Sequence, residues 1–313
     1  MTSSVPAQLA AAGLRVAAAP ISWGVCEVPG WGHVLDPTTV LGEMAELGLD
    51  ATELGPPGYL PDDPDALREL LARHGLRLVG GFLAVVLHDT ARMEATVAEA
   101  DRAAALLAAA GGEVLVLAAA TGLDGYDERP ALTDDQWRTL VRTAATVRET
   151  AARHGIRTTL HPHVGTHVER EPEVERFLAD SELPLCLDTG HLLIGGTDPV
   201  ALARNHPDRI GHVHLKDVRA ELAAEVRAGR LGYAQAVRDG LYVPLGDGDV
   251  DVASIVDFLT QVDYPGWYVL EQDTALPGPE PGPAARPSSD TARSLRYLHG
   301  LLGRRPSGSE TRG

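Results

Sequence analysis

Short apolar runs that alternate with helical patterns constrain the fold of this chain more than any other feature. The runs lie near residues 15–20, 50–54, 77–83, 113–118, 157–162, 184–188, 209–215 and 266–271. Most are almost continuously apolar, as expected for parallel strands that are covered on both faces. Eight such strands separated by helices predict a single (β/α)8 TIM barrel. A doubly wound open sheet would need GxGxxG spacing after the first strand, and "APISWGVCEVPGWG" lacks it.

Helix boundaries are marked by capping residues. Asp followed by Pro predicts a helix start, because Asp caps the helix and Pro suits its first position. Such pairs are Asp36-Pro37, Asp63-Pro64 and Asp198-Pro199, and Thr133 with Gln136 forms a capping box. Two helix ends, 70–81 and 150–161, place Arg and His before Gly, which suits a helix C-terminus. His74 and His154 are therefore predicted to be structural.

Residues 1–303 are predicted to form one domain, and three segments depart from the regular alternation. Residues 219–245 are predicted to be a helical insertion after the seventh strand, on the side of a barrel that shapes the active site. Residues 274–289 are rich in proline and are predicted to be extended before the last helix. Residues 304–313 are predicted to be a disordered tail.

Composition excludes several classes of partner. The formal net charge is −17, which disfavours nucleic acid and argues against a nuclease on this architecture. No basic n-region opens the chain and no apolar run has the ~18 residues that span a membrane. Cys26 and Cys186 are the two cysteines and have no CxxC partner, so we expect reduced thiols and a cytoplasmic protein.

Carboxylate and imidazole side chains gather where the predicted strands end. The stretch "CLDTGHLLIGG" (186–196) illustrates this, because a buried strand ends on Asp188 and His191 follows it. The other such residues are Glu53, His161, His163, His167, His212, His214, Lys216, Asp217, Glu271, Gln272 and Asp273. Strand ends of a barrel converge on one face. Imidazoles and carboxylates together suit a divalent Mn, Co, Zn, Fe or Mg ion.

Each of these residues also has a structural interpretation when taken singly. A histidine at a strand end can be a hydrogen-bonded core residue, Asp188 can cap the next turn, and Glu271 can be a solvated strand end. Their recurrence at successive strand ends favours the metal site over these separate explanations.

Several motifs resemble one protein family. "APISWG", "LDTGH", "HVHLKDVR", "GDGDVD" and "YPGWYVLEQD" resemble the xylose-isomerase-like TIM barrels, and within them the inosose dehydratases of inositol catabolism. The resemblance covers about residues 15–273. It implies one divalent metal ion held from strands five to eight, and by position the ligands would be His161, Asp188, His214 and Glu271. His214 is preferred to His212 because the family pattern places Asp three residues after the ligand, here Asp217.

One position departs from the related epimerases. Ketose epimerases of this fold usually carry Glu where this chain has His161, and their two metal-bound glutamates serve opposite faces of one carbon. His161 removes one carboxylate of that pair, which favours the dehydratases, although imidazole can also carry protons. A metal-dependent epimerase or isomerase of a ketose, keto-inositol or related keto-sugar therefore stays open as the alternative. A barrel that is not catalytic or depends on a partner is a third hypothesis.

The resemblance and the site together predict a metal-dependent dehydratase, a carbon–oxygen lyase acting on a keto-inositol such as scyllo-inosose through an enolate. One ion, Mn²⁺ or Co²⁺ ahead of Zn²⁺, Fe²⁺ or Mg²⁺, would act as the Lewis acid. The candidate proton carriers, which the sequence does not rank, are Glu271, His163 and Lys216. The candidate substrate contacts are Trp23, Glu53, His191 and Asp217. No basic cluster is evident for a phosphate, so the substrate is predicted to be a small neutral polyhydroxylated ketone. The sequence leaves homo-oligomer formation open.

Overall fold

The computed structural model describes residues 3–26, 28–279 and 287–303. Within these ranges the strands are β1 (Arg15–Ala18), β2 (Ala51–Thr52), β3 (Arg77–Leu78), β4 (Gly80–Val85), β5 (Val114–Ala119), β6 (Arg157–Leu160), β7 (Leu185–Asp188), β8 (Ile210–Leu215), β9 (Asp217–Val218), β10 (Tyr242–Val243) and β11 (Trp267–Leu270).

Nine of these strands form one parallel sheet that nearly closes on itself. Their order is β3-β2-β1-β11-β8-β7-β6-β5-β4. The two edge strands, β3 and β4, are consecutive and separated by Val79 alone. The Val79 N–H donates to Thr52 O at 2.9 Å, and its carbonyl accepts from Glu113 N at 2.7 Å. Counting β3 and β4 as one interrupted strand gives eight positions, so the predicted TIM barrel is confirmed.

The helices surround the sheet, and four of them begin where the capping residues predict. They are α1 (Val5–Ala11), α2 (Pro37–Glu46), α3 (Pro64–Arg73), α4 (Met93–Ala110), α5 (Asp134–Arg153), α6 (Glu171–Asp180), α7 (Thr189–Gly195), α8 (Pro199–Asn205), α9 (Ala220–Arg227), α10 (Tyr233–Arg238), α11 (Val252–Gln261) and α12 (Pro287–Leu302). The side chains of Asp36, Asp63 and Asp198 accept backbone N–H groups at three helix starts. Thr133 and Gln136 form the reciprocal capping box. His74 and His154 are C-cap residues, as their positions before Gly predict.

Apolar packing fills the barrel interior below the strand ends that carry polar groups. One cluster there joins Ala17, Ala51, Val79, Trp267 and Val269, and a second joins Val114, Val116 and Cys186. The guanidinium groups of Arg15 and Arg77 lie 4.1 and 4.7 Å from the Trp267 ring centroid. These residues begin their strands, so this end of the barrel is closed. A functional cavity is left to the carboxyl end.

The predicted insertion, residues 219–245, contains α9 and α10. β9 precedes the segment and β10 lies near its end, and these two strands pair antiparallel with Tyr242 opposite Val218. That the segment is an insertion stays a prediction. The last helix begins at Pro287, two residues before the predicted start. Residues 280–286 of the proline-rich segment, and the predicted tail 304–313, lie outside the described residues.

None of the helices in the described ranges combines the length and the apolar character that crossing a lipid bilayer requires.

Candidate metal centre and active site

Polar side chains from five parallel strands meet at the carboxyl end of the barrel. Each follows or ends a strand: Glu53 after β2, His161 and His163 after β6, Asp188 at the end of β7, His214 and Lys216 at the end of β8, and Glu271 and Asp273 after β11. All are at most 8 % exposed. Parallel strands bring their carboxyl ends to one face, so residues more than 200 positions apart become neighbours.

The four residues predicted as metal ligands lie in direct contact. His161 Nε2 is 3.1 Å from Asp188 Oδ2, and His214 Nδ1 is 3.5 Å from the same oxygen. His214 Nδ1 is also 3.1 Å from Glu271 Oε2. One potential ligand atom from each of Asp188, His214 and Glu271 lies within 4.8 Å of the other two. These buried groups could therefore hold a metal ion.

The orientation of His214 fits a cation between the side chains. Its Nδ1 is buried and has no hydrogen-bond partner, although a Glu271 oxygen lies 3.1 Å away. Ligand atoms about 2.1 Å from a shared ion lie about 3 Å apart when their bonds to it are perpendicular. Burial lowers the pKa of His214, but the surrounding charges, those of Glu271 and Glu53 among them, raise that pKa well above its ordinary value. Nδ1 therefore carries a proton in the metal-free protein, and a metal ion could take the place of that proton.

The balance of buried charge leads to the same conclusion. Four carboxyl groups, those of Glu53, Asp188, Glu271 and Asp273, lie in this cluster, and Lys216 is the ammonium group among them. Buried charges are stable only when they are paired or coordinate a metal. A divalent cation would compensate the excess of carboxylates.

Glu53 orients two histidines from β8. Its Oε1 lies 2.8 Å from His212 Nε2 and 3.2 Å from His214 Nε2. A carboxylate oxygen accepts, so both rings carry their proton on Nε2. Burial raises the pKa of Glu53, but the neighbouring His214 and His212 outweigh burial and hold that pKa far below its usual range. The bond to Glu53 therefore fixes the His214 ring so that Nδ1 is the nitrogen that faces Asp188 and Glu271.

The carboxylate of Asp188 is held ionised by its surroundings. Burial raises its pKa, yet the charges of Lys216 and His191 and the bond from His161 bring the pKa well below the usual range. Oδ1 accepts the His191 N–H at 2.8 Å, so Asp188 also caps α7. Asp188 therefore makes both the contacts of a helix cap and those of a member of the polar cluster.

A cavity above the cluster is walled by aromatic and polar side chains. Its walls include Trp31, Glu53, Phe82, Tyr126, His161, His163, His214, Glu271 and Asp273. The rings of Trp31, Tyr126 and Tyr233 contact one another with centroids 5.2 to 6.2 Å apart. Three separate connections between barrel strands therefore meet beside this cavity.

Two predicted substrate contacts have other partners. Trp23 does not line the cavity, because its ring is fully buried and its Nε1 donates to Glu43 Oε2 at 2.7 Å. The prediction of Trp23 as an apolar wall is therefore corrected, and Trp31 lies in that wall instead.

The Asp217 carboxylate accepts the N–H groups of Val218, Gly246, Gly248 and Val250 at 2.8 to 3.1 Å. These bonds use its oxygens to shape the 246–250 loop, so Asp217 is corrected to a structural role.

The remaining histidines separate into two groups. His163 lines the cavity, and its ring centroid is 3.8 Å from that of His191. His191 lies deeper, with its Nε2 3.2 Å from Lys216 Nζ. His167 leaves the cluster and packs on His88 at 4.4 Å between centroids. Burial is the main reason that the pKa of His163 falls to about 3 and that of His167 to about 4.

Sequence reasoning missed Trp31, Tyr126 and Tyr233. Trp31 and Tyr126 lie in loops and Tyr233 begins α10, and their approach to the cavity depends on how these connections cross the barrel. A weak signal existed for Trp31, since "VPGWG" follows the first strand as closely as Trp23 does. Nothing local to Tyr126 or Tyr233 indicates the cavity.

Comparison with known proteins places this site in a family. The model of the xylose isomerase-like TIM barrel matches residues 41–298. An inosose dehydratase of Geobacillus kaustophilus is 36 % identical over 278 residues, which cover 85 % of this chain and 90 % of that protein. The rhizopine catabolism protein MocC of Rhizobium meliloti is 34 % identical over 272 residues, covering 83 % of this chain and 82 % of that protein. Several further relatives are named inosose dehydratase, and they indicate an enzyme of the lyase class, a dehydratase.

Solved structures share the fold at lower identity. An L-ribulose 3-epimerase superposes with a TM-score of 0.67 at 18 % identity, covering 92 % of this chain and 94 % of its own. A probable 3-DHS dehydratase from Bacillus anthracis has a TM-score of 0.64 at 17 % identity, covering 90 % and 98 %. Since these structures show the fold alone, the family rests on the sequence matches. By those matches and by its barrel, the chain belongs to the xylose isomerase-like TIM barrel family.

Proposed function

We propose that this dehydratase depends on a divalent metal ion and removes water from a neutral polyhydroxylated cyclic ketone, a keto-inositol such as scyllo-inosose. The observation that carries the proposal is the buried cluster of Asp188, His214 and Glu271, in which His214 Nδ1 lies 3.5 and 3.1 Å from oxygens of the two carboxylates. The names of the relatives support the substrate class.

The proposed ligands are His161, Asp188, His214 and Glu271. Imidazole and carboxylate ligands suit Mn²⁺ or Co²⁺, and also Zn²⁺, Fe²⁺ or Mg²⁺. When bound, such an ion would act as a Lewis acid toward the substrate carbonyl and make the neighbouring C–H group more acidic. The protein's own side chains would carry out all other steps.

Among the three candidate proton carriers, the geometry favours His163. Its Nδ1 donates to Val164 O at 2.6 Å, so Nε2 keeps a lone pair, and the ring lines the cavity. Glu271 also lines the cavity, but its oxygen is used in the proposed ligand set. Lys216 lies behind the wall, 2 % exposed. His163 Nε2 would thus take the proton from the carbon beside the carbonyl.

The elimination needs no second catalytic carboxylate, because His163 returns the proton that it takes. The electrons of the broken C–H bond first form the enolate, and they then form a C=C bond as the neighbouring C–O bond breaks. The hydroxyl leaves with the proton returned from His163 Nε2, and together they form water. The aromatic walls Trp31 and Tyr126 would keep bulk water from the enolate.

The experiment that separates dehydration from epimerisation is turnover of scyllo-inosose in D₂O with Mn²⁺ or Co²⁺. We expect a product lighter by one water, with the ultraviolet absorbance of an enolised diketone. A product of unchanged composition with one carbon-bound deuterium would instead establish the epimerase. Protein stripped of metal by chelation is the control and should show neither product.

Glu53 provides a separate test of the metal site. We expect Glu53→Ala to weaken Co²⁺ binding about 10–100-fold, since loss of a carboxylate that orients a ligand histidine has this effect. Glu53→Gln should lose less, because its amide oxygen can still accept an N–H group. Competition titration against a chelator measures both, with the exposed Glu182→Ala as control. A raised KM with unchanged Co²⁺ affinity would make Glu53 the substrate contact that the sequence predicts.

A further inference from the structure

Lys216 is the single lysine of the chain. The 27 residues counted as Lys or Arg are otherwise all arginine. Every other basic position therefore uses a guanidinium group, including the exposed ones, where either cation would serve. The Lys216 residue is 2 % exposed and lies among the carboxylates of the site. Arginine and lysine differ in size, shape and hydrogen-bond geometry, so this site requires the compact ammonium group.

The stem of Lys216 is closely packed. Gly190 in α7 lies against the lysine stem, and a Cβ atom there would be 2.7 Å from Lys216 Cβ and 3.1 Å from Tyr242 Cε1. The stem thus occupies the space that a side chain at position 190 would need. A planar guanidinium would have to fit where the ammonium now lies between oxygens on several sides.

The ammonium group has three close polar neighbours. Nζ lies 2.5 Å from Asp273 Oδ1, 3.0 Å from Glu271 Oε2 and 3.2 Å from His191 Nε2. The two carboxylates accept N–H groups of the ammonium. Asp188 Oδ2 lies further away, at 3.6 Å. Lys216 therefore contacts two carboxylates that we propose as metal ligands, and Asp273 holds it from the other side.

Asp273 is in turn held by a residue from outside the barrel sheet. The Tyr233 hydroxyl donates to Asp273 Oδ2 at 2.6 Å, so the Tyr242 hydroxyl, 2.8 Å away, donates to Tyr233. Tyr233 begins α10 within 219–245, and its backbone N–H donates to Asp127 Oδ1 at 2.9 Å. Its ring packs on Tyr126 and Trp31, which line the cavity.

We propose that Asp273 and Tyr233 are positioning residues that hold the Lys216 ammonium against the carboxylates of Asp188 and Glu271. The proposal deepens the proposed function and rests on it for the meaning of the two carboxylates. It gives 219–245 a part in the chemistry: the segment supplies the hydroxyl that orients Asp273, which keeps the single lysine in place. Without that hydroxyl, one Asp273 oxygen is released and the ammonium loses its fixed direction.

The variant Tyr233→Phe tests the proposal because it keeps the ring packing and removes only the hydroxyl. Tyr264→Phe is the matched control, since Tyr264 lies before β11 at the opposite end of the barrel and its hydroxyl contacts Trp267 O. Protein labelled with ¹⁵N-lysine gives one side-chain ammonium signal, which reports Lys216 alone. We expect Tyr233→Phe to shift this signal, to speed its exchange with water and to lower kcat about 10–100-fold with KM changed less than threefold.

The outcomes are distinct. An unchanged lysine signal and unchanged kcat would overturn the positioning role, and so would a rise in KM alone, which would make Tyr233 a substrate contact. A shifted signal in a protein that does not dehydrate scyllo-inosose would contradict the proposed function and leave the positioning of Lys216 standing. Asp273→Asn should alter the lysine signal more than Tyr233→Phe, because it removes the charge that lies 2.5 Å from Nζ.

Discussion

Purified Asp188→Asn is expected to contain almost no divalent metal and to lose at least ~100-fold in dehydratase activity, while the barrel stays folded. Asp188 Oδ2 is the oxygen that both His161 Nε2 and His214 Nδ1 approach. Its replacement by an amide removes one anionic ligand, which costs more than the 10–100-fold that loss of an outer-shell partner costs. Asn still caps α7, so unfolding should not explain the loss. Elemental analysis and circular dichroism measure metal content and fold.

Asp198→Asn is the matched control for this variant. Asp198 also caps a helix, with Oδ1 accepting Val200 N at 2.8 Å, but it is exposed and lies away from the cluster. The same chemical change there should leave metal content and turnover unchanged. Full metal occupancy and normal turnover in Asp188→Asn would remove Asp188 from the proposed site.

Lys216→Met is expected to lower the free energy of unfolding of the metal-free protein by about 3–5 kcal/mol, because it leaves buried carboxylates without their ammonium partner. The partners that lose it are Asp273, Glu271 and Asp188. A divalent cation should raise the melting temperature of this variant more than that of the wild type, since it restores positive charge to the cluster. Urea unfolding with and without Co²⁺ measures both effects.

Lys216→Arg completes this test by keeping the charge. A longer, planar guanidinium does not match the positions of Asp273, Glu271 and His191 around the ammonium, so Arg should also destabilise the protein and lower activity. Stability and turnover equal to the wild type in Lys216→Arg would show that any cation serves at this position. Unchanged stability in Lys216→Met would show that the carboxylates are not charged in the metal-free protein.

Local chemistry accounts for the parts of the fold that the sequence predicts. Asp36, Asp63, Asp198 and Thr133 cap their helices as predicted, because a cap depends on residues within one turn of each other. The strands follow from buried apolar runs, and the barrel follows from their alternation with helices. The proximity of His161, Asp188, His214 and Glu271 follows as well, because the carboxyl ends of parallel strands share one face.

Contacts between loops could not be predicted in the same way. Trp23 and Trp31 both follow β1, yet only the tertiary packing turns Trp23 to Glu43 and Trp31 to the cavity. Asp217 follows the strand that carries His214, but its oxygens accept N–H groups from 246–250. Such partners are far apart in the chain, and no local pattern encodes which loop crosses which.

The sequence by itself therefore determined the barrel, the helix boundaries and the strand-end residues that gather at one face, because each depends on local periodicity or capping. Only the tertiary structure decided which partners each of those side chains contacts. It turned Glu53 toward two histidines, left His214 Nδ1 facing carboxylates, and held the single lysine through Asp273 and Tyr233. The physical reason is that side-chain direction and loop crossing are set by packing across the whole barrel, where each buried polar group must find a partner distant in sequence.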